Sequence, residues 1–408
     1  MSTNSEFEFS EDEIKEWQDE DDETSPEELS VKSPIESISQ KYSRSHLRVV
    51  RETKDFTLDY LSNALKRDSF IINVSPEYQR RQRWSQKKRS QLIESFLMNI
   101  PIPPVFLFEH EYNEYEVVDG RQRLDTLRGF LENGFALTGL EYWNELNGHR
   151  YNELPDIIKK GLLRRSLPAI VLLAETRSPE DDDFDVRRVL FDRLNTGGEK
   201  LSPQELRNAL YPGSFNKMLI QIARMDEFTS TWGIPQKTDE ENESIPEKLA
   251  NNTLYKTMAD CELTLRFFAI KDMIEDDSRG SLRRLLDQCM KRHAKDGEKK
   301  VAQLQKRYTR ILKMLYQTFD GKPFRIPNIN RPSRSLYDAM MVASSIFEAT
   351  DLVSNKVEIQ ARLSNALSNP DQYALIVGRK GNSVENIKKR VLLAATILLG
   401  DVYDERLA

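Results

Sequence analysis

The distribution of apolar residues along the chain constrains the fold more than any other feature of the sequence. Short runs of branched and aromatic residues, which are typical of strands, occur only before about residue 215, at 71–74, 105–108, 115–118 and 168–173. Farther along, apolar residues recur at helical spacing, over 255–275, 281–293, 297–319, 334–349, 356–368 and 383–399. This division predicts a mixed α+β domain at 46–215 and a C-terminal all-helical domain at 216–408.

The net charge of −6 over 408 residues hides an uneven distribution of charge. Residues 1–40 contain fourteen Asp or Glu and two Lys, a local net charge of −12, so the remainder carries +6 (−6 minus −12). The segment 1–45 also contains Ser and Pro and few branched apolar residues, which predicts a disordered acidic tail. A basic body with an acidic tail is compatible with a nucleotide or nucleic-acid partner.

Composition disfavours several classes of protein. No run approaches the 18 or so apolar residues of a membrane helix, and the acidic first residues do not form a signal peptide. The two cysteines, Cys261 and Cys289, cannot build a disulfide framework and are interpreted as buried thiols of a cytoplasmic protein. The four histidines are scattered, which disfavours a zinc site or an HNH nuclease centre.

The sharpest candidate for a functional site is the segment 117–123, Val-Val-Asp-Gly-Arg-Gln-Arg. It joins a predicted strand to a predicted helix, and the first turn of a helix has backbone N–H groups that can bind a phosphate. Gly120 permits close approach of the backbone, and the guanidinium groups of Arg121 and Arg123 match phosphate oxygens. Asp119 can hold Mg²⁺ or orient a water. An arginine-rich helix start paired with local acids is the structural alternative.

A second polar cluster lies at 76–88. Its aromatic side chains can stack on a base, and its cationic groups can contact phosphates. The candidate nucleotide-binding residues are Tyr78, Gln79, Arg80, Arg83, Trp84 and Lys88. A solvated basic turn with its aromatic residues packed inward explains the cluster equally well.

A third cluster lies at 193–201, after a predicted helix near 183–194. Its two glycines can simply end that helix, whereas the Asn and Thr beside them can hydrogen-bond to a ligand. The candidate residues are Arg193, Asn195, Thr196, Gly197 and Gly198. Taken together, the three clusters favour phosphate binding, because each is polar, is predicted to lie in a loop and contains phosphate-binding residue types.

In order and spacing, the three clusters resemble the N-terminal domain of GmrSD-type modification-dependent restriction enzymes, which is related to the ParB/sulfiredoxin-like fold. The resemblance covers about 55–215 and includes the stretch 92–103, Leu-Ile-Glu-Ser-Phe-Leu-Met-Asn-Ile-Pro-Ile-Pro. It implies a ParB/sulfiredoxin-like mixed domain. It also implies a site that binds and hydrolyses a nucleoside triphosphate (NTP) with Mg²⁺ and contains Asp119, Gln122 and Arg123.

Two departures from the family pattern are visible. The family's Asp-Gly-Gln-Arg motif contains an additional residue here, Arg121, between Gly120 and Gln122. In the two-part restriction enzymes a C-terminal HNH nuclease cuts DNA, whereas the residues after 215 contain a single histidine, His293. The resemblance therefore implies a subunit without its own HNH nuclease.

We expect a nucleotide-binding, Mg²⁺-dependent NTP-hydrolysing protein of a DNA restriction or phage-defence system. Its catalytic candidates are Asp119, Arg121, Gln122 and Arg123, with Asp119 as the metal ligand. The expected partners are a nucleotide, DNA and a separate nuclease subunit. Two alternatives stay open: a non-catalytic sensor of nucleotide or modified DNA that acts through a partner, and a DNA nuclease built on the ParB-like fold.

Overall fold

A computed structural model describes two compact units. One unit, Ser33–Leu201, contains the main β-sheet and is called the sheet unit here. The other, the helical unit, combines Met1–Lys32, which includes helix α1 (Glu11–Asp21), with Ser202–Ala408. An α+β region together with a helical region agrees with the fold class predicted from the sequence. The described residues are 7–22, 51–66, 69, 71–73, 84–173, 202–238, 241, 245–326, 329–377 and 381–400.

The sheet unit is built on a five-stranded mixed sheet. Its strands are β1 (Arg51–Thr57), β2 (Ile72–Asn73), β3 (Val105–Glu111), β4 (Glu114–Asp119) and β5 (Ser166–Leu172). They lie in the order β1-β5-β3-β4-β2, with β1/β5 and β3/β4 antiparallel and β3/β5 and β2/β4 parallel. The runs at 105–108 and 115–118 predict a hairpin around Asn113. The structure confirms it as β3 and β4, and Asn113 makes its turn with φ +59°.

Four helices share one hydrophobic core with this sheet: α2 (Leu58–Ala64), α3 (Gln86–Leu97), α4 (Arg121–Leu131) and α5 (Asp156–Leu163). The sequence predicts that Ser85 caps a helix that runs to about residue 98. Ser85 does begin α3, because its Oγ accepts a hydrogen bond from the backbone N–H of Lys88. The sequence predicts that Leu124, Leu127, Phe130 and Leu131 form the buried stripe of the helix after Gly120. The first three are fully buried, whereas Leu131 is half-buried. These contacts fix the start of α4 directly after the end of β4.

The segment 202–205, Ser-Pro-Gln-Glu, predicts a capping box at the start of a helix. The helical unit continues from this point, and Ser202 and Glu205 form the capping box. None of the helices in the described part of the chain is long and apolar enough to cross a membrane. The elements are α6 (Pro203–Leu210), α7 (Ser214–Ile222), α8 (Asp226–Trp232), α9 (Glu247–Asn251), α10 (Thr253–Lys256), α11 (Ala259–Glu275), α12 (Leu282–His293), α13 (Glu298–Thr318), β6 (Arg325–Ile326), β7 (Ile329–Pro332), α14 (Arg334–Ile346), α15 (Lys356–Ser368), α16 (Pro370–Ile376) and α17 (Val384–Leu399).

The helical unit differs from the all-helical prediction in one place. The strands β6 and β7 pair antiparallel to form a short ribbon between α13 and α14. These strands contain two and four residues, which is too short for the alternating apolar pattern that identifies a strand in a sequence.

Residues 7–22 also differ from the prediction of a disordered tail over 1–45. The helix α1 begins at a capping box made by Ser10 and Glu13. Phe9 and Ile14 are buried at 6% and 3% exposure, and the rings of Phe9 and Trp17 contact Trp232 of α8 with centroid distances of 6.0 and 6.3 Å. An acidic segment with few apolar residues is ordered here because its aromatic anchors pack against a distant part of the chain.

The end of α1 is held by a buried charge network. Asp21, 3% exposed, accepts hydrogen bonds from Arg266 at 2.5 Å, Arg334 at 3.2 Å and Asn382 at 2.9 Å. Arg266 also binds both carboxylate oxygens of Asp338, at distances between 2.6 and 3.1 Å. Asp21 of the N-terminal segment thus neutralises two buried arginines of the helical unit.

Candidate functional site

The junction between β4 and α4 is a tight turn that requires glycine. Gly120 has φ +90° and forms the N-terminal cap of α4 without a side-chain hydrogen bond. A Cβ atom on this residue would lie 2.4 Å from Cγ1 of Val105 on β3. Both the backbone conformation and the space therefore exclude a side chain, which brings the backbone of the turn close to β3.

Backbone hydrogen bonds close the first turn of α4. The N–H groups of Arg123 and Leu124 both donate to the carbonyl oxygen of Gly120, at 3.0 and 3.1 Å. The N–H group of Gln122, the second residue of the helix, precedes the first intrahelical hydrogen bonds. The turn is therefore of the kind that binds anions through backbone N–H groups and the positive end of the helix dipole.

Asp119 and Arg123 form the polar pair of this turn. The Nη2 of Arg123 lies 3.2 Å from Oδ2 of Asp119, and its Nη1 donates to the carbonyl oxygen of Pro103 at 2.6 Å. Arg123 is 14% exposed and Asp119 is 28% exposed. Burial lowers the pKa of Arg123, against the opposing effect of the Asp119 carboxylate. The arginine ties the segment before β3 to the end of β4 and orients the carboxylate.

Arg121 points to a different partner. Its Nε lies 3.3 Å from Oδ2 of Asp125 one turn along α4, and Arg128 binds the other carboxylate oxygen at 3.2 Å. The Arg121 side chain is 6% exposed. In this conformation Arg121 and Arg123 are both paired with acids, which is the arrangement that the structural alternative describes.

Gln122 differs from its neighbours. Its backbone carbonyl accepts a hydrogen bond from Thr126 at 2.7 Å, while its half-buried side chain makes no hydrogen bond within the part of the chain that the structure describes. An amide in this position can donate to and accept from a ligand.

Trp84 and Lys88 lie at the start of α3. Trp84 is half-buried and packs against the core of the sheet unit. The Lys88 ammonium lies 4.9 Å from the centre of the Trp84 ring. Within the described residues, no hydrogen bond, ion pair or ring contact joins either side chain to the Asp119–Arg123 segment. The other candidates of the second and third clusters lie outside the described residues: Tyr78, Gln79, Arg80, Arg83, Arg193, Asn195, Thr196, Gly197 and Gly198.

A cavity of about 240 Å³ in the sheet unit does not coincide with this turn. It is lined by residues of α2 and by Arg128, Leu131 and Glu132 at the far end of α4. At a rise of about 1.5 Å per residue, that end lies about 12 Å or more along the helix from Gly120. The cavity and the turn are therefore separate features.

Two acidic residues of the sheet unit have structural roles that were not identified from the sequence. Asp125 forms ion pairs with Arg121 and Arg128. It lies four residues after Arg121 and three before Arg128, and this spacing on a helix could have revealed both pairs. Glu94, 6% exposed, accepts hydrogen bonds from three consecutive backbone N–H groups, those of residues 141–143, at 2.8 to 3.0 Å. A buried carboxylate that binds a loop has no local sequence signature.

Comparison with known proteins identifies one family. Residues 58–212 match the family described as GmrSD restriction endonuclease, N-terminal domain, and this range includes all three polar clusters. Neither a search of curated proteins nor a search of solved structures found a match. Residues 58–212 of this chain are therefore similar to the N-terminal domain of GmrSD restriction endonucleases.

Proposed function

We propose that the β4–α4 turn binds the phosphates of a nucleoside triphosphate and hydrolyses it with Mg²⁺. The family of residues 58–212 indicates a component of a restriction or phage-defence system. The observation that carries the proposal is Gly120, whose φ of +90° and lack of space for a Cβ bring bare backbone to the start of a helix. Such a turn offers N–H groups to an anion.

The roles we propose follow from which groups already have partners. The backbone N–H and the side-chain amide of Gln122 bind phosphate oxygens. Arg123 acts as a positioning residue, because its guanidinium already binds Asp119 and the Pro103 carbonyl. Arg121 contributes positive charge at the start of α4 without contacting the phosphates, because its guanidinium pairs with Asp125.

We propose that Asp119 binds Mg²⁺ through one carboxylate oxygen. Arg123 occupies Oδ2, and among the described residues no partner is found for Oδ1. Asp119 also belongs to no cluster of three possible metal ligands in the described part of the chain. A Mg²⁺ ion would therefore be held jointly by Asp119 and the phosphates, which is common for this ion. When bound, Mg²⁺ neutralises charge that develops on the phosphate oxygens.

The remaining candidates complete the proposal by resemblance to the family. The second cluster, with Trp84 and Lys88, and the third cluster at 193–201 would close around the nucleotide. The partners that we propose are DNA and a separate nuclease subunit, because the family name refers to a restriction endonuclease. The sequence after residue 215 contains a single histidine.

The replacement Asp119→Asn is expected to reduce phosphate release by about 100-fold or more, because a metal ligand contributes several kcal/mol to phosphoryl transfer. Phosphate release from ATP, GTP, CTP and UTP would be measured with Mg²⁺, with and without DNA. The matched control is Asp156→Asn, since Asp156 is 84% exposed in the same unit. Equal loss in both variants, or normal turnover in Asp119→Asn, would reject the assignment.

A second candidate function is a sensor that binds a nucleotide and signals to a partner. It is favoured because the guanidinium groups of Arg121 and Arg123 are already paired with acids. Nucleotide binding by the wild-type protein, without phosphate release under any of the above conditions, would establish this alternative. A nuclease has less support, because Asp125, the next carboxylate along α4, is occupied by Arg121 and Arg128.

A further inference from the structure

A cluster of three possible metal ligands lies in the helical unit, apart from the β4–α4 turn. Asp272 comes from α11, and Cys289 and His293 come from α12, where a spacing of four residues puts them on the same face. The cysteine and histidine are buried, at 3% and 5% exposure. The cluster thus joins two packed helices through one oxygen, one sulfur and one nitrogen.

The distances within the cluster fit a tetrahedral ion. In a zinc site with Zn–O and Zn–N bonds of about 2.0–2.1 Å, two such ligand atoms lie about 3.3–3.4 Å apart. The Nε2 of His293 lies 3.3 Å from Oδ2 of Asp272. The ligand atoms of all three residues lie within 4.8 Å of one another. Since a Zn–S bond of about 2.3 Å places sulfur about 3.6 Å from nitrogen, the sulfur needs to move by at most about 1.2 Å.

The outer contacts of His293 are those of a metal-binding histidine. Its Nδ1 lies 2.5 Å from Oδ2 of Asp296, so the remaining ring nitrogen faces Asp272 and Cys289. A carboxylate on the far nitrogen fixes the ring and its tautomer in many zinc sites. The imidazole ring also stacks on Phe215, with a centroid distance of 4.6 Å. The ring is therefore held in the orientation that a metal requires.

We propose that Asp272, Cys289 and His293 bind a zinc ion that links α11 to α12. The set of one thiolate, one imidazole and one carboxylate favours Zn²⁺ over Mg²⁺ or Ca²⁺, which prefer oxygen ligands. The fourth position would be taken by a water. The low exposure of the cysteine and histidine favours a structural ion, which stabilises the packing of the two helices.

The competing explanation is an ion-pair cluster without a metal. His293 as an imidazolium could bind Asp272 and Asp296 at the same distances. Arg292 also approaches Oδ2 of Asp272, at 3.2 Å. Its side chain is 51% exposed and also contacts Asp276, so it can retain that partner when a metal takes the Asp272 oxygen. Metal binding by the intact protein separates the two explanations.

The test is a titration of the full-length protein with Co²⁺, which reports a thiolate ligand through a thiolate-to-metal absorption band in the near ultraviolet. The wild-type protein is expected to show this band at one equivalent of Co²⁺ and to lose it when one equivalent of Zn²⁺ is added. Cys289→Ala should abolish the band. His293→Gln should weaken Co²⁺ binding by about tenfold or more.

The matched control is Cys261→Ala. Cys261 is also a fully buried cysteine, but it lies eleven residues before Asp272 on α11, about 16 Å along the helix. This variant should keep the full band. Circular dichroism would establish that each variant is folded. Absence of the band in the folded wild-type protein would overturn the proposal, as would an unchanged band in folded Cys289→Ala.

Discussion

Replacing Asp21 with alanine is expected to lower the free energy of unfolding of the helical unit by about 3 to 5 kcal/mol. The carboxylate is 3% exposed and neutralises Arg266 and Arg334, which are 1% and 5% exposed. Without it, two buried guanidinium groups share Asp338 and the partly exposed Glu20. A buried charge that loses its partner retains the full cost of its desolvation, which explains the large effect.

The neighbouring residue is a matched control for this prediction. Asp22 binds Arg283 at 2.6 Å, but its side chain is 47% exposed. Asp22→Ala is therefore expected to cost about 1 kcal/mol or less. Denaturant unfolding followed by tryptophan fluorescence would measure both variants, because Trp17 lies in α1 and its ring contacts that of Trp232. Similar losses for Asp21→Ala and Asp22→Ala would mean that α1 does not complete the helical unit.

The second large effect is expected for Gly120→Ala, at about 2 to 6 kcal/mol of stability in the sheet unit. Part of this cost is backbone strain at φ +90°, about 1 to 3 kcal/mol. The rest comes from the new Cβ, 2.4 Å from Cγ1 of Val105, since overpacking a core costs about 1 to 3 kcal/mol. Denaturant unfolding of the variant would measure the sum.

Another glycine in the same unit separates the two contributions. Gly148 has φ +86°, and a Cβ there would meet nothing within 4 Å. Gly148→Ala should therefore show only the backbone cost. Adding Val105→Ala to Gly120→Ala should recover part of the loss in a double-mutant cycle. Equal costs at the two glycines would show that Val105 does not restrict the turn.

Features that depend on neighbours in the sequence could be predicted. Ser85 and Ser202 begin helices because a hydroxyl three residues before a backbone N–H can cap it, which is a local interaction. The apolar stripe of α4 and the β3–β4 hairpin followed from periodicity in the same way. The turn at Gly120 followed from a glycine placed between a strand pattern and a helix pattern.

Features that depend on distant partners could not be predicted. The segment 7–22 has the composition of a disordered tail, and only contacts with residues more than 200 positions away, such as Trp232 and Arg266, order it. One contact of the candidate site raises the same difficulty. Arg123 donates to the carbonyl of Pro103 twenty residues earlier, which has no local signal, whereas its pairing with Asp119 four residues away belongs to the alternative that the sequence left open.

The measurement that tests the central claim most directly is calorimetric titration of the wild-type protein and Gln122→Ala with each NTP in the presence of Mg²⁺. This substitution should not change stability, because no hydrogen bond of the Gln122 side chain is found among the described residues. If the β4–α4 turn is a nucleotide site, at least one NTP binds the wild-type protein, and Gln122→Ala weakens that binding by about tenfold, the equivalent of one lost hydrogen bond. If no NTP binds the folded protein, or both proteins bind with equal affinity, the turn is not the nucleotide site.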